Sequence, residues 1–203
     1  RIGIRGTPAG AGGSGTLAFL VGIGWLDKGT DTFVLEQVLL RDFDGEPCLI
    51  EWMEQRLQER THLCTYNGKS FDVPLLKSRC VMNGLCTKVW DYPHIDLLHF
   101  SRRLWKGRLP KVSLTCVEEN ILNLKRSLDL PSSEIPEVWN AFSRSESWEK
   151  MPEVIAHHAQ DILSLARILQ VHLKTVDAPE TVESICELEA LEKWFRQQKD
   201  RAQ

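Results

Sequence analysis

The stretch Thr65-Tyr66-Asn67-Gly68-Lys69-Ser70-Phe71-Asp72-Val73-Pro74-Leu75-Leu76 reads as a strand that ends, turns tightly and begins a helix. Leu63 and Cys64 ahead of it suit a buried strand, and Asn67-Gly68 is a turn dipeptide. Ser70 or Asp72 can cap a helix, and Pro74 is accommodated only in a first helical turn. In α/β folds ligands gather at the carboxyl ends of strands. Asn67 and Asp72 fall at such an end, with Asp72 equally readable as a helix cap.

Toward the N-terminus, Leu17 to Leu26 is an apolar run interrupted by Gly22 and Gly24. Interior glycines and β-branched residues disfavour a helix, so the run predicts a buried strand. Asp27-Lys28-Gly29-Thr30 is a turn, and Phe33 to Leu40 a second strand, giving a hairpin over 16–40. Residues 1–6 predict a short strand before it. Gly10, Gly12 and Gly15 fit G-x-G-x-x-G, with Glu36 near the offset of a ribose-binding acid. That fingerprint needs a helix directly after it, where this chain has a strand pattern, so a nucleotide-cofactor protein is the outside reading.

The remaining chain predicts a helix over 45–59, a strand over 61–66 and a helix over 71–83. A strand begins at Lys88-Val89-Trp90, and His94-Ile95-Asp96-Leu97-Leu98 leads into a helix ending near Trp105. Helices are expected over 113–122, 137–143, 152–173 and 181–199, with a loop at 131–136. Ile155, Ile162, Leu165, Ala166, Leu169 and Leu173 form one apolar stripe on the helix over 152–173. The expected fold class is α/β, a mixed sheet of one antiparallel hairpin and βαβ units flanked by helices.

The 203 residues suffice for one domain, taken as 1–175, with 176–203 as a C-terminal helical extension. That last helix carries enough apolar positions to need a partner surface, on this domain or on another protein. The chain starts at Arg1 rather than Met, as a piece of a longer protein would. The net charge of -3 excludes a uniformly basic nucleic-acid binder, yet Arg102, Arg103, Lys106, Arg108 and Lys111 concentrate positive charge in ten residues. Such a run is either a solvated face or a phosphate-contacting patch. The six cysteines contain no C-x-x-C and read as reduced core residues of a cytoplasmic protein. No signal peptide and no bilayer-spanning run is visible.

His157-His158-Ala159-Gln160-Asp161 lies on the striped helix, where His157 and Asp161, four apart, face the same way. Together, Asn67-x3-Phe71-Asp72 and His157-x3-Asp161 resemble the second and third motifs of the DEDD 3'–5' exonucleases, which have a ribonuclease H-like fold. More closely, the chain resembles the YprB-type ribonuclease H-like domain. Gly12 to Gly24, Tyr66 to Leu76, His94 to Trp105, Ser133 to Trp139 and His157 to Leu165 carry the likeness, in order, over about residues 1–172. It makes the glycine run a loop between two strands.

The resemblance implies a two-metal phosphodiester hydrolase using Mg²⁺ or Mn²⁺, in which four carboxylates hold the ions. It makes Asp72 and Asp161 metal ligands, His157 the general base, and Asn67 and Phe71 the support of the second motif beside the substrate. Asp96 matches a recurrent Asp-Leu-Leu and is a weaker candidate ligand. Arg102 and Arg103 are the candidate contacts to a single-stranded nucleic-acid end. The family's first motif, Asp-x-Glu on the first strand, is missing. Ile4 and Gly6 stand at its two positions, and residues 1–26 contain neither Asp nor Glu. Two readings remain. One is a nucleic-acid- or protein-binding domain with an impaired or inactive site. The other is an active 3'–5' exonuclease with replacement ligands, for which Glu36 and Asp96 are the nearest candidates.

Overall fold

The structure, a computed structural model, describes residues 2–9, 16–85, 88–126, 131, 133–144 and 147–201, with backbone only for 2–9 and 201. The strands are β1 (Ile2–Ala9), β2 (Leu17–Asp27), β3 (Thr32–Leu39), β4 (Leu63–Thr65) and β5 (His94–Asp96). The helices are α1 (Glu46–Gln58), α2 (Asp72–Met82), α3 (Leu97–Trp105), α4 (Leu114–Asn120), α5 (Ile135–Ser143), α6 (Met151–Asp177) and α7 (Ile185–Arg201). One sheet runs in the order β3-β2-β1-β4-β5. β3, β2 and β1 are antiparallel neighbours, whereas β4 and β5 join β1 in parallel. The hairpin and the βαβ portion expected from sequence meet at β1. Gly10, Gly12 and Gly15 lie outside the described residues. The next element after them is strand β2, not the helix a dinucleotide fingerprint needs.

Alternation along the strands sorts side chains into two layers. Leu63 and Ile23 enter the core shared with Leu49, Met53 and Leu76 of α1 and α2, while Cys64 enters the core shared with Leu165 and Ile168 of α6. Helix α6 crosses the sheet on the face where β2 presents Gly22 and Gly24. A Cβ on Gly22 would lie 2.2 Å from Ile162 Cδ1 and 2.7 Å from His158 Cε1, and one on Gly24 2.7 Å from Ile162 Cγ2. These glycines exist to admit the helix. Gln37, paired with Gly22 across the hairpin, ties the contact by donating to the Ile155 carbonyl at 3.0 Å and meeting His158 Nδ1 at 2.8 Å. Trp139 of α5 stacks on Phe19 and donates to the Leu40 carbonyl at 2.8 Å, closing the far end of the hairpin.

The structure differs from the sequence expectations at several points. Lys88–Asp91 is a 3₁₀ turn, and strand pairing starts only at His94. Val89 packs in the core, and Pro93, which has no N–H, offers only its carbonyl to Leu63 N. Helix α6 runs beyond 173 to Asp177, and α7 starts at Ile185 because Pro179–Thr181 forms its own 3₁₀ turn. Cys64, Cys80 and Cys116 are buried as expected, but Cys48 and Cys186 are exposed, and Cys86 lies outside the described residues. Among the described residues, no helix is long and apolar enough to cross a membrane.

Helix α7 packs on α3. Leu191 is buried, Trp194 meets Phe100 edge-on, and Arg108 Nη1 and Arg103 Nη1 donate to Glu187 and Gln197 at 2.7 and 2.6 Å. Beneath it, His172 of α6 is buried among Ser101, Phe100 and Trp105, and burial pushes its imidazole down to about 4 from 6.5. The unfolded chain binds this proton between those two values and the native state does not. Stability therefore falls as pH drops through that window, by about 3 kcal/mol for this one group. Urea unfolding at several pH values should show His172→Gln flattening that acid-side slope. In the same assay, Gly22→Val should cost about 2–3 kcal/mol by overpacking against α6, while Gly29→Ala, in an open turn, should change little.

Candidate functional site

The strand–turn–helix junction over 65–76 forms around a single carboxylate. Asp96, the last residue of β5, accepts from Asn67 N at 2.7 Å, Lys69 N at 3.1 Å and Leu98 N at 3.1 Å. One side chain thus caps α3 and holds the turn after β4. Asn67 sits at φ +64°, the left-handed region that asparagine tolerates. At Gly68 a Cβ would fall 2.5 Å from Thr65, so the Asn-Gly pair answers two separate demands. Asp96, a weak metal-ligand candidate from sequence, is committed to three amides, a positioning role that the Asp-Leu-Leu pattern does not disclose.

Helix α2 opens with Asp72 as its first residue, buried and in the favourable first turn for a carboxylate. Neither Ser70 nor Asp72 is the cap: Phe71 occupies that position, with no side-chain capping bond. Phe71 is 66% exposed.

On α6, His157 Nε2 and Asp161 Oδ1 share a face but stand 3.9 Å apart, too far for a hydrogen bond. Arg126 engages both. Its Nη2 donates to Asp161 Oδ1 at 2.5 Å and its Nε to Glu118 Oε2 at 2.7 Å, while its Nη1 lies 2.6 Å from His157 Nε2 and 3.0 Å from Nδ1. Glu118, on α4, also accepts from Ser164 Oγ at 2.5 Å. The Arg126 side chain is 8% exposed. Burial works against its charge, but the hydrogen bond to Glu118 and the attraction of Asp161 outweigh that and raise its pKa. Sequence reasoning misses both Arg126 and Glu118. No periodicity or motif marks them; only the packing of α4 on α6 brings them to Asp161.

The basic run divides by helical geometry. Arg102 and Lys106, four apart, join Lys111, Tyr66, Asn67 and Thr115 around a cleft of about 870 Å³. Arg103 points the other way, to Gln197, so only Arg102 of the two expected substrate contacts lines the cleft. Thr115 also borders a second cleft of about 370 Å³ that reaches Lys125 and Arg126. The Tyr66 hydroxyl donates to the Val112 carbonyl at 3.0 Å, and burial pushes its pKa up to about 12, which keeps it a donor rather than a base.

Among the described residues, the side chains do not fit a two-metal centre. Among the described residues, no three His, Cys, Asp or Glu side chains come together in a way that could hold a metal ion. Asp161 and His157 are engaged by Arg126, and Asp96 by amides. Glu36 pairs with Arg56 of α1 at 2.7 Å, and its neighbour Gln37 faces α6, so Glu36 lies on the opposite face of the sheet. Neither replacement ligand is in place. Because Asp96 acts through backbone amides, Asp96→Ala should cost about 3 kcal/mol in metal-free urea unfolding, and Asp96→Asn, which keeps one acceptor oxygen, less.

Comparison with known proteins gives a consistent result. The model of the RNase H superfamily matches residues 9–173. The uncharacterized protein YprB of Bacillus subtilis strain 168 is 32% identical over 195 residues, covering 95% of this chain. The chain spans 46% of that relative, about half its length. Among solved structures, the family B DNA polymerase of the hyperthermophilic archaeon Pyrobaculum calidifontis superposes with a TM-score of 0.64 at 14% identity, over 94% of this chain and 26% of the polymerase. At that identity the likeness concerns the fold alone. With its 3-2-1-4-5 sheet order and a family match over most of its length, the chain belongs to the RNase H superfamily, as a YprB-type ribonuclease H-like domain.

Proposed function

We propose that this domain binds the end of a single-stranded nucleic acid and does not hydrolyse it through bound metal ions. The observation that carries this reading is the cleft beside Asn67. Arg102, Lys106 and Lys111 line it and, among the described residues, no Asp or Glu does, on a chain whose net charge is -3. Phosphates are attracted to such a groove while the rest of the surface repels them. Exposed Phe71, next along the chain from the Asn67 turn, offers a ring on which a base can stack. Asn67 fixes the turn between cleft and ring.

Catalysis of the kind the family performs needs carboxylates that hold two metals. The first strand supplies none, and Asp161 and His157 are engaged by Arg126. Asp72 is buried at the start of α2 and does not line the cleft.

Fluorescence anisotropy with a 3'-labelled oligonucleotide tests the binding. Replacing Lys106 and Lys111 together by Ala should weaken affinity several-fold and flatten the log–log salt dependence by about 1.4, two single-strand phosphate contacts' worth. The same oligonucleotide incubated with Mn²⁺ or Mg²⁺ should stay intact. Metal-dependent release of the label, abolished by Asp161→Ala, would instead establish an active 3'–5' exonuclease. Equal affinity of the wild type and the double variant would remove the cleft from the binding site.

A further inference from the structure

The chemistry of the surface changes along α4. At the start of the helix the larger cleft carries Arg102, Lys106 and Lys111 and, among the described residues, no acid. Thr115 borders both clefts. One turn further on, on the same face, Glu119 lines the smaller cleft with Asn120, Lys125 and Arg126. Glu119, Asn120 and Lys125 are exposed. The Arg126 guanidinium is committed to Glu118 and Asp161, so Lys125 is the cation that this cleft offers a ligand, and Glu119 balances it. A phosphate gains little from such a balanced pair. Hydrogen-bond acceptors are the other resource here. A carboxylate only accepts, and Asn120 gives its amide nitrogen to the Cys116 carbonyl at 2.8 Å, which leaves its oxygen to offer. The volume of about 370 Å³ is that of a small-molecule site.

We infer that the smaller cleft is a nucleobase subsite and that Glu119 selects a base bearing an exocyclic amino group. The inference rests on the single-stranded nucleic-acid binding proposed above. A strand whose phosphates lie against Lys106 and Lys111 carries its next base past Thr115 and onto Glu119. Bases of a single strand are unstacked and expose their pairing edges. Cytosine turns an amino group to the carboxylate and keeps ring acceptors for the Lys125 ammonium. Thymine has a carbonyl where cytosine has the amine, so acceptor meets acceptor. Selection therefore comes from rejecting the wrong base as well as from holding the right one.

Anisotropy titrations with labelled oligo-dC and oligo-dT of equal length, at one salt concentration, test the subsite. The wild type should bind oligo-dC about fivefold more tightly, the low end of what one base-edge pair contributes. Glu119→Gln, at an exposed position, should bring the two affinities within about twofold of each other. A glutamine amide donates to the thymine carbonyl as readily as it accepts from the cytosine amine. The Lys106→Ala, Lys111→Ala double variant should weaken both strands alike and keep their ratio. Equal affinity of the wild type for the two strands overturns the inference. So does a preference for oligo-dC that survives Glu119→Gln. Lysine-dependent binding with no base preference removes the subsite and leaves the basic cleft standing, whereas no binding to either strand removes both.

Discussion

Helix α6 lies against the sheet across two glycines, and the position of every candidate site residue on that side of the molecule depends on this approach. Gly22 and Gly24 leave no room for a methyl group beneath Ile162 and His158. With the helix drawn down onto β2, His158 and Ile162 face the sheet and are fully covered. The residues one step around the helix, His157 and Asp161, are then turned toward α4 and Arg126. A larger side chain on β2 would lift α6 and break the alignment of Asp161, Arg126 and Glu118 together, because the three meet across two helices and a connecting segment rather than on one element.

Charge is handled inside the fold by donors the chain itself provides. Asp96 is satisfied by three backbone amides, Glu118 by Ser164 and Arg126, Asp161 by Arg126, and Glu46 by Arg79 and Asn83. These differ in kind from exposed pairs such as Arg196–Glu192, whose net contribution is small. A buried carboxylate stripped of its partner costs several kcal/mol, so each pairing fixes a geometry even where it adds little net stability. At the junction after β4 the geometry so fixed is that of Asn67, which borders the basic cleft.

Much of this is legible in the sequence because local chemistry and tertiary demand agree. The Asn67-Gly68 turn, Pro74 in a first helical turn, the strand over Leu17 to Leu26 and the stripe on α6 each come from one residue's conformational limits or from one period. The 88–91 segment reads wrongly as strand because apolar residues in a short run pack equally well in a 3₁₀ turn, and only Pro93 hints that pairing starts later. The basic run is legible as a charge, and helical spacing separates Arg103 from Arg102 and Lys106, but only the position of α7 shows which of the two faces is covered. Arg126 and Glu118 are not legible at all. Their significance arises from contacts made 35 and 43 positions away from Asp161, with nothing periodic to announce them.

Arg126 beside Asp161 shows how the fold balances a buried carboxylate where α4 meets α6. A cluster of four carboxylates repels itself and is held together by the divalent ions it binds. A carboxylate held inside a fold needs a cation or hydrogen-bond donors beside it. The strand that runs through the middle of the sheet carries no Asp or Glu. Asp161, with a side chain only 4% exposed, is paired with a guanidinium that also ties in Glu118. The groups that hold the architecture (glycine clearance under α6, amides around Asp96, the guanidinium at Asp161) are supplied by the polypeptide itself.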